Sequence, residues 1–198
     1  MNHLVIYAHP NMNSLNHSVL EETLKLLNSK ENAEVQVIDL YGENFDPRLN
    51  FDASHPRRDM KTREETEKYR NSILWANHIV FIYPIWWGRA PAILLGFIDK
   101  IFVSGFAYHH PPTALLPQGL LKGKTATVIT TQKGPAFITR LVFKDSHRRV
   151  MKKQVLQFCG IKKVRFLEIG QSEAMTPERF SKIEKRIQNL FPRKKDFQ

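Results

Sequence analysis

Three short stretches of the chain hold residue types that could do chemistry. "AHPNMNSLN" (8–16) sets an imidazole, His9, and a hydroxyl, Ser14, ahead of Leu15 and Asn16, where a run with helical spacing begins. Backbone amides at a helix start point outward and favour an anion. Asn13 or Ser14 reads equally well as a plain helix N-cap, and His9 as a surface residue. "PIWWGRAP" (84–91) places Ile85 and two indoles, Trp86 and Trp87, between Pro84 and Pro91. Two flat apolar groups in a proline-bounded loop could face a planar ring system, or pack in a core or subunit interface. "TTQKGPAF" (130–137) offers the hydroxyls of Thr130 and Thr131, then Gln132, and Gly134, where backbone can approach a ligand closely. Lys133 reads best as a solvated side chain. Neither G-x-G-x-x-G nor G-x-x-x-x-G-K-[ST] occurs, so these loops carry no dinucleotide fingerprint and no Walker loop.

Positioning these loops needs strands and helices that alternate, and the chain alternates. "LVIYA" (4–8) is a short apolar run, followed by "SLNHSVLEETLKLL" with Leu20, Leu24 and Leu27 on one helical stripe. "EVQVIDL" (34–40) is a second strand, "TREETEKYRNSILWA" (62–76) a helix, and "HIVFIY" (78–83) a third strand. "PAILLGFIDKIF" (91–102) has a helical period, and "TATVITT" (125–131) is a β-branched fourth strand. "DSHRRVMKKQVLQFC" (145–159) is expected as a helix, "KKVRFLEIG" (162–170) as the fifth strand, and "TPERFSKIEKRIQNLF" (176–191) as the closing helix. There Thr176 is the N-cap, Pro177 takes N1, and Phe180, Ile183, Ile187 and Leu190 face inward.

Five strands alternating with five helices predict an α/β fold: a doubly wound parallel sheet with helices on both faces. Strands one, three and four are continuous apolar runs, as strands buried on both faces must be. In such a sheet, ligands bind beyond the carboxyl ends of the strands where the winding reverses. With the order 2-1-3-4-5, the three loops leave neighbouring strands and converge on one edge. A phosphate site, a stacking surface and a polar loop on one edge match the parts of a flavin.

The bulk numbers fit. A chain of 198 residues suits one domain, expected over 1–198. No apolar run reaches the ~18 residues that span a bilayer, and the N-terminus lacks signal-peptide features, so no membrane insertion and a cytoplasmic location are expected. The single cysteine, Cys159, sits among apolar neighbours and is expected as a buried, inert thiol. The formal net charge of +11 attracts anions. Its bases are dispersed, with small clusters such as 193–195, and no nucleic-acid signature accompanies them, so no nucleic-acid partner is expected. No metal site is expected.

The same residues resemble a family. "AHPNMNSLNHSV", "PIWWGRAPAILLGFIDKIFVSGFAY" and the Thr130–Thr131 pair with its following glycine are similar to the flavodoxin-like NAD(P)H:quinone oxidoreductases. That family includes DT-diaphorase, the modulator-of-drug-activity type reductases and the ancillary reductases of potassium efflux. The resemblance covers roughly residues 3–170. It implies a flavodoxin-like fold, a bound flavin (FMN, with FAD as the alternative), NAD(P)H as co-substrate and a quinone or similar acceptor. It also implies ping-pong transfer of two electrons and a homodimer. The cofactor-binding positions it implies are His9, Ser14, Leu15, Asn16, Pro84, Ile85, Trp86, Trp87, Thr130, Thr131, Gln132 and Gly134. Relatives read T-T-G-G where this chain has Gln132 and Lys133, and the Tyr and His that assist hydride transfer in mammalian enzymes have no clear counterpart. No catalytic side chain is assigned. The apolar load of Ile93, Leu94, Leu95, Phe97, Ile98, Ile101, Phe102 and Phe106 suggests that 91–108 lies near the dimer interface.

Two other readings stand beside this one. An electron-carrier flavodoxin would be acidic, unlike this chain. A regulatory ancillary subunit docked on a potassium-efflux transporter has no sequence marker that would separate it.

Overall fold

The computed structural model describes residues 1–142 and 144–191. The basic cluster at 193–195 lies outside them. Seven strands are present among the described residues: β1 (Asn2–Tyr7), β2 (Glu34–Asp39), β3 (His78–Pro84), β4 (Tyr108–His109), β5 (Gln118–Gly119), β6 (Thr125–Thr131) and β7 (Lys163–Ile169). The main sheet has the order β2-β1-β3-β6-β7, parallel throughout, which is the expected 2-1-3-4-5 winding of five long strands. Every residue of β3 and β6 is buried, which explains their uninterrupted apolar and threonine runs. β4 and β5 form a separate two-residue antiparallel pair.

The helices are α1 (Leu15–Asn28), α2 (Glu67–Trp75), α3 (Ala92–Ile101), α4 (Ala136–Leu141), α5 (Ser146–Arg149) and α6 (Pro177–Gln188). On one face, Val19, Leu20 and Leu27 of α1 and Ile183 and Ile187 of α6 pack on Val5, Tyr7, Val80 and Ile129. On the other, Tyr69 and Ile73 of α2 and Leu94, Phe97 and Ile101 of α3 pack on Leu4, Ile79, Phe81 and Val128. The period-2 alternation along each strand divides its side chains between these two cores.

The closing helix starts as its sequence requires. The Thr176 hydroxyl accepts from the Arg179 amide at 3.3 Å, with Pro177 in the first helical position.

Two helices and one apolar surface differ from the sequence-based expectation, and α4, β4 and β5 fall where no element was expected. The helix expected over 145–159 is α-helical only over Ser146–Arg149 and continues as a π-helix from Val150 to Gln157. Met151 and Leu156 still reach the core, so the apolar spacing does not distinguish the two windings. The helix expected over 62–76 opens with a 3₁₀ turn, Glu64–Thr66, before α2. The apolar load of 91–108 is largely consumed within the protomer: Leu94, Phe97, Ile101 and Phe102 are all buried there. That surplus therefore does not by itself locate an interface.

Candidate active site at the carboxyl edge of the sheet

The loops after β1, β3 and β6 meet as expected, and Thr131 at the end of β6 ties them. Its carbonyl accepts from the Ile85 amide at 2.8 Å. Its hydroxyl accepts from the Asn16 side-chain amide at 2.6 Å. Alternation along the strand turns Thr131 toward α1 and Thr130 toward the α3 face, where the Thr130 hydroxyl is buried without a hydrogen-bond partner among the described residues. The Asn16 amide is thus an internal tie, only 3 % exposed, while its Oδ1 is buried and likewise unpartnered.

The first loop ends in a capped helix. The Ser14 hydroxyl accepts from the His17 amide at 3.2 Å. Leu15 and Asn16 open α1, whose first turn carries no acidic residue. The positive end of that helix is therefore not answered locally. His9 lies in the loop that leads into this turn, its Nδ1 3.1 Å from the Asn11 amide nitrogen. Burial lowers its pKa from the usual imidazole value, with the Asn11 backbone acting in the opposite direction. The His9 ring centre lies 6.1 Å from a ring centre of Trp86.

The second loop is a tight hairpin on the end of β3. Trp86 and Arg89 exchange both backbone hydrogen bonds, at 3.0 and 3.1 Å. The two residues between them have positive φ, 52° at Trp87 and 70° at Gly88, as a turn of the I′ kind requires. Glycine takes that conformation without cost; a tryptophan does not. Pro84 completes β3, Ile85 is half-buried, and Trp86 is 41 % exposed on the His9 side. Trp87, at the turn tip, is 97 % exposed within the protomer.

The third loop is braced by the neighbouring strand. The Gln132 amide donates to Ile169 O at 2.9 Å, and Gln171 N donates to Gly134 O at 3.1 Å. Lys133 is exposed and pairs with Glu173 at 2.6 Å. At Gly134 a Cβ would meet nothing within 4 Å, so its freedom answers no contact inside the protein. At Gly170 a Cβ would sit 2.5 Å from Ala136 N and 2.8 Å from Gly134 O. Gly170, absent from the sequence-based candidates, is what lets this loop lie close to β7.

A second group also went unseen in the sequence. A cavity of about 120 Å³ under the tryptophan turn is lined by Tyr83, Arg89, His147 and apolar neighbours. His147 Nε2 lies 3.4 Å from Glu168 Oε1, both buried. Burial, and then the charge of Glu168, push the Tyr83 phenol above its usual range. These three residues come from β3, α5 and β7, and no local spacing marks them as neighbours. Cys159 is a buried thiol pushed up to about 12 by burial, as expected of an inert one. No group of three or more potential metal ligands occurs among the described residues. No helix among them is long and apolar enough to cross a membrane.

Comparison with known proteins agrees with this fold. A family model described as flavodoxin-like fold matches residues 1–191. Human ribosyldihydronicotinamide dehydrogenase [quinone] is 31 % identical over 80 % of this chain and 77 % of its own length. The chain belongs to the flavodoxin-like NAD(P)H:quinone oxidoreductase family. An uncharacterized NAD(P)H oxidoreductase of Haemophilus influenzae is 29 % identical, over 86 % of this family member and 84 % of that protein. Among solved structures, Smu.1420 from Streptococcus mutans superposes with a TM-score of 0.87 at 39 % identity, covering 96 % of this chain and 97 % of the other.

Proposed function

We propose that this protein is a flavin-dependent NAD(P)H oxidoreductase that passes two electrons to quinones or similar acceptors. The observation that carries the reading is the convergence of three loops on Thr131, at the sheet edge where a doubly wound fold binds ligands. When bound, the flavin supplies the redox chemistry, taking a hydride equivalent from NAD(P)H and giving two electrons to the acceptor in a ping-pong cycle.

The residues present fit such a group. The acid-free start of α1, with Ser14 as its cap and His9 in the loop before it, suits the phosphate of FMN. Trp86, Trp87, Pro84 and Ile85 suit the long edge of a planar ring. The space beside Gly134 leaves room for the ring's polar end, with Thr130, Thr131 and Gln132 at hand. FMN is the flavin of this reading, and FAD its alternative. The chain's own contribution is position: the hydrogen bonds at Thr131 hold the three loops in one arrangement before any ligand arrives.

The same reading makes the chain one flavin-binding domain that works as a homodimer. The exposed Trp87, Leu115, Leu116 and Leu141 supply apolar surface for a partner copy to cover.

Purified protein, with FMN added if needed, is expected to show flavin absorption and to oxidise NADPH when menadione is supplied. Extraction and chromatography of the cofactor identify it as FMN. A protein that binds neither FMN nor FAD would overturn the reading.

A further inference from the structure

The cavity of about 120 Å³ under the tryptophan turn lies between α3 and the π-helix. Leu95 and Ile98 of α3 and Val150 and Val155 of the π-helix form its walls, and none of the positions assigned to the flavin lines it. An apolar cavity of ~150 Å³ takes one benzene ring, so this space suits a single six-membered ring.

One side of the cavity is polar. His147 lines it and is only 6 % exposed. Its Nε2 lies 3.4 Å from Glu168 Oε1. The carboxylate draws the ring proton to Nε2, which leaves Nδ1 an acceptor. That Nδ1 is buried with no hydrogen-bond partner among the described residues. A buried acceptor without a donor is costly, and folded proteins nearly always supply one.

A ligand that supplies the donor is constrained by its surroundings. It must carry an N–H or O–H, so an ether or a ketone does not serve. It must also be uncharged. An ammonium would leave water for apolar walls, and a carboxylate would stand beside Glu168 as well. Tyr83, on the same cavity, brings no charge, because burial and then Glu168 raise its pKa. Arg89 also lines the cavity but is exposed, so its charge remains in water. A flat ring bearing a neutral hydroxyl meets all of these conditions.

We propose that this cavity binds a monocyclic phenol, with its ring between α3 and the π-helix and its hydroxyl donating to His147 Nδ1. The site is separate from the flavin edge and goes beyond the function proposed above.

The test titrates the full chain, with FMN added, with phenol and with benzene by calorimetry. Methionine methyl groups labelled with ¹³C report the place by NMR, since Met151 lines the cavity and the buried Met60 does not. Phenol is expected to saturate by about 10 mM, to bind about tenfold more tightly than benzene, and to shift the Met151 signal while that of Met60 stays in place. His147→Gln keeps an amide donor toward Glu168 and removes the Nδ1 acceptor. It is expected to weaken phenol about tenfold, to the level of benzene, and to hold benzene within about twofold of wild type. Ala90→Leu fills the cavity and is expected to abolish binding of both. Four results would each overturn the proposal: no saturable phenol binding, equal wild-type affinity for phenol and benzene, a Met151 signal that does not move, or phenol affinity in His147→Gln within about twofold of wild type. The cavity would then hold water only. Should His147→Gln fail to fold, the wild-type ratio of the two affinities and the Ala90→Leu titration decide. A protein that takes up no flavin defeats the earlier reading instead, and these titrations run on it unchanged.

Discussion

Asn16 and Thr131 stand 115 positions apart in the chain, and the amide of one donates to the hydroxyl of the other at 2.6 Å. This bond lies inside the wall of the candidate site, so its loss is expected to affect the whole edge. Asn16→Ala should lower stability by about 1–3 kcal/mol. It should weaken FMN and riboflavin alike, by roughly tenfold.

His9→Ala should behave differently. If His9 is a phosphate ligand, as proposed, FMN affinity should fall about tenfold while riboflavin, which has no phosphate, is held as before. Titrations of both flavins into the two variants separate a tie from a ligand. Equal losses for the two flavins in His9→Ala would remove the phosphate role.

Gly134, in the third loop, and Gly170, packed against it, should also part company. Gly134→Ala meets open space, and the apoprotein should keep its stability within about 0.5 kcal/mol while flavin affinity drops. Gly170→Ala drives a methyl into Ala136 N and should cost about 1–3 kcal/mol in the apoprotein itself. Denaturant midpoints and flavin titrations give both numbers. If Gly134→Ala leaves flavin binding intact, the space beside it belongs to no flavin.

Trp86 and Trp87 give a third contrast. Trp87 is 97 % exposed and occupies a strained backbone position, held by the turn's hydrogen bonds and by almost no packing of its own ring. A partner copy and a bound ring are what would make that position worthwhile. Trp87→Ala is expected to reduce flavin occupancy more than Trp86→Gln does. Tryptophan fluorescence should rise on cofactor removal in the wild type, and by less in Trp87→Ala. Full occupancy and unchanged turnover in Trp87→Ala would make the pair mere surface.

Acid should act at the opposite end of the sheet. His3 on β1 and His78 on β3 lie with ring centres 5.6 Å apart, and both are buried. Burial, with a smaller push from Lys30 and the N-terminus, lowers His3 to about 4. Burial also holds His78 well below the usual imidazole value. Unfolding restores ordinary values near 6.5, so below that pH the unfolded chain binds more protons than the folded one. The stability present above about pH 6.5 is therefore lost as pH falls toward 4, by up to ~1.4 kcal/mol per pH unit for each ring. The His78 nitrogens face the hydroxyls of Thr125 and Thr127, at 2.5 and 3.0 Å, whereas neither nitrogen of His3 has a hydrogen-bond partner among the described residues. His3→Leu should therefore be nearly neutral at about pH 7.5 and stabilising at about pH 5. Urea midpoints at the two pH values check this; a pH slope equal to wild type would assign the acid sensitivity to other groups.

Much of this arrangement was legible in the sequence. β3 and β6 announce themselves as unbroken runs because both of their faces are covered. α6 does so through Thr176, Pro177 and four inward residues at helical spacing. The three loops were legible because strand order alone brings strand ends together. The π-helix was not, since Met151 and Leu156 satisfy either winding. The role of Gly170 was hidden because it depends on a loop some 35 positions earlier in the chain. The meeting of Tyr83, His147 and Glu168 was hidden for the same reason: each residue alone looks like ordinary strand or helix material.

Thr131 also bears on how this sheet edge can change over generations. Its carbonyl and hydroxyl root two of the loops, and it is the last paired residue before the third. A change at a loop tip, such as Trp87 or Lys133, alters one loop at a time, since each tip stands on a root that stays put. A change at the root reaches three segments together and has no single compensating neighbour. Substitution at the tips is therefore expected to alter what this edge recognises, and substitution at the root to alter how the recognising parts are anchored.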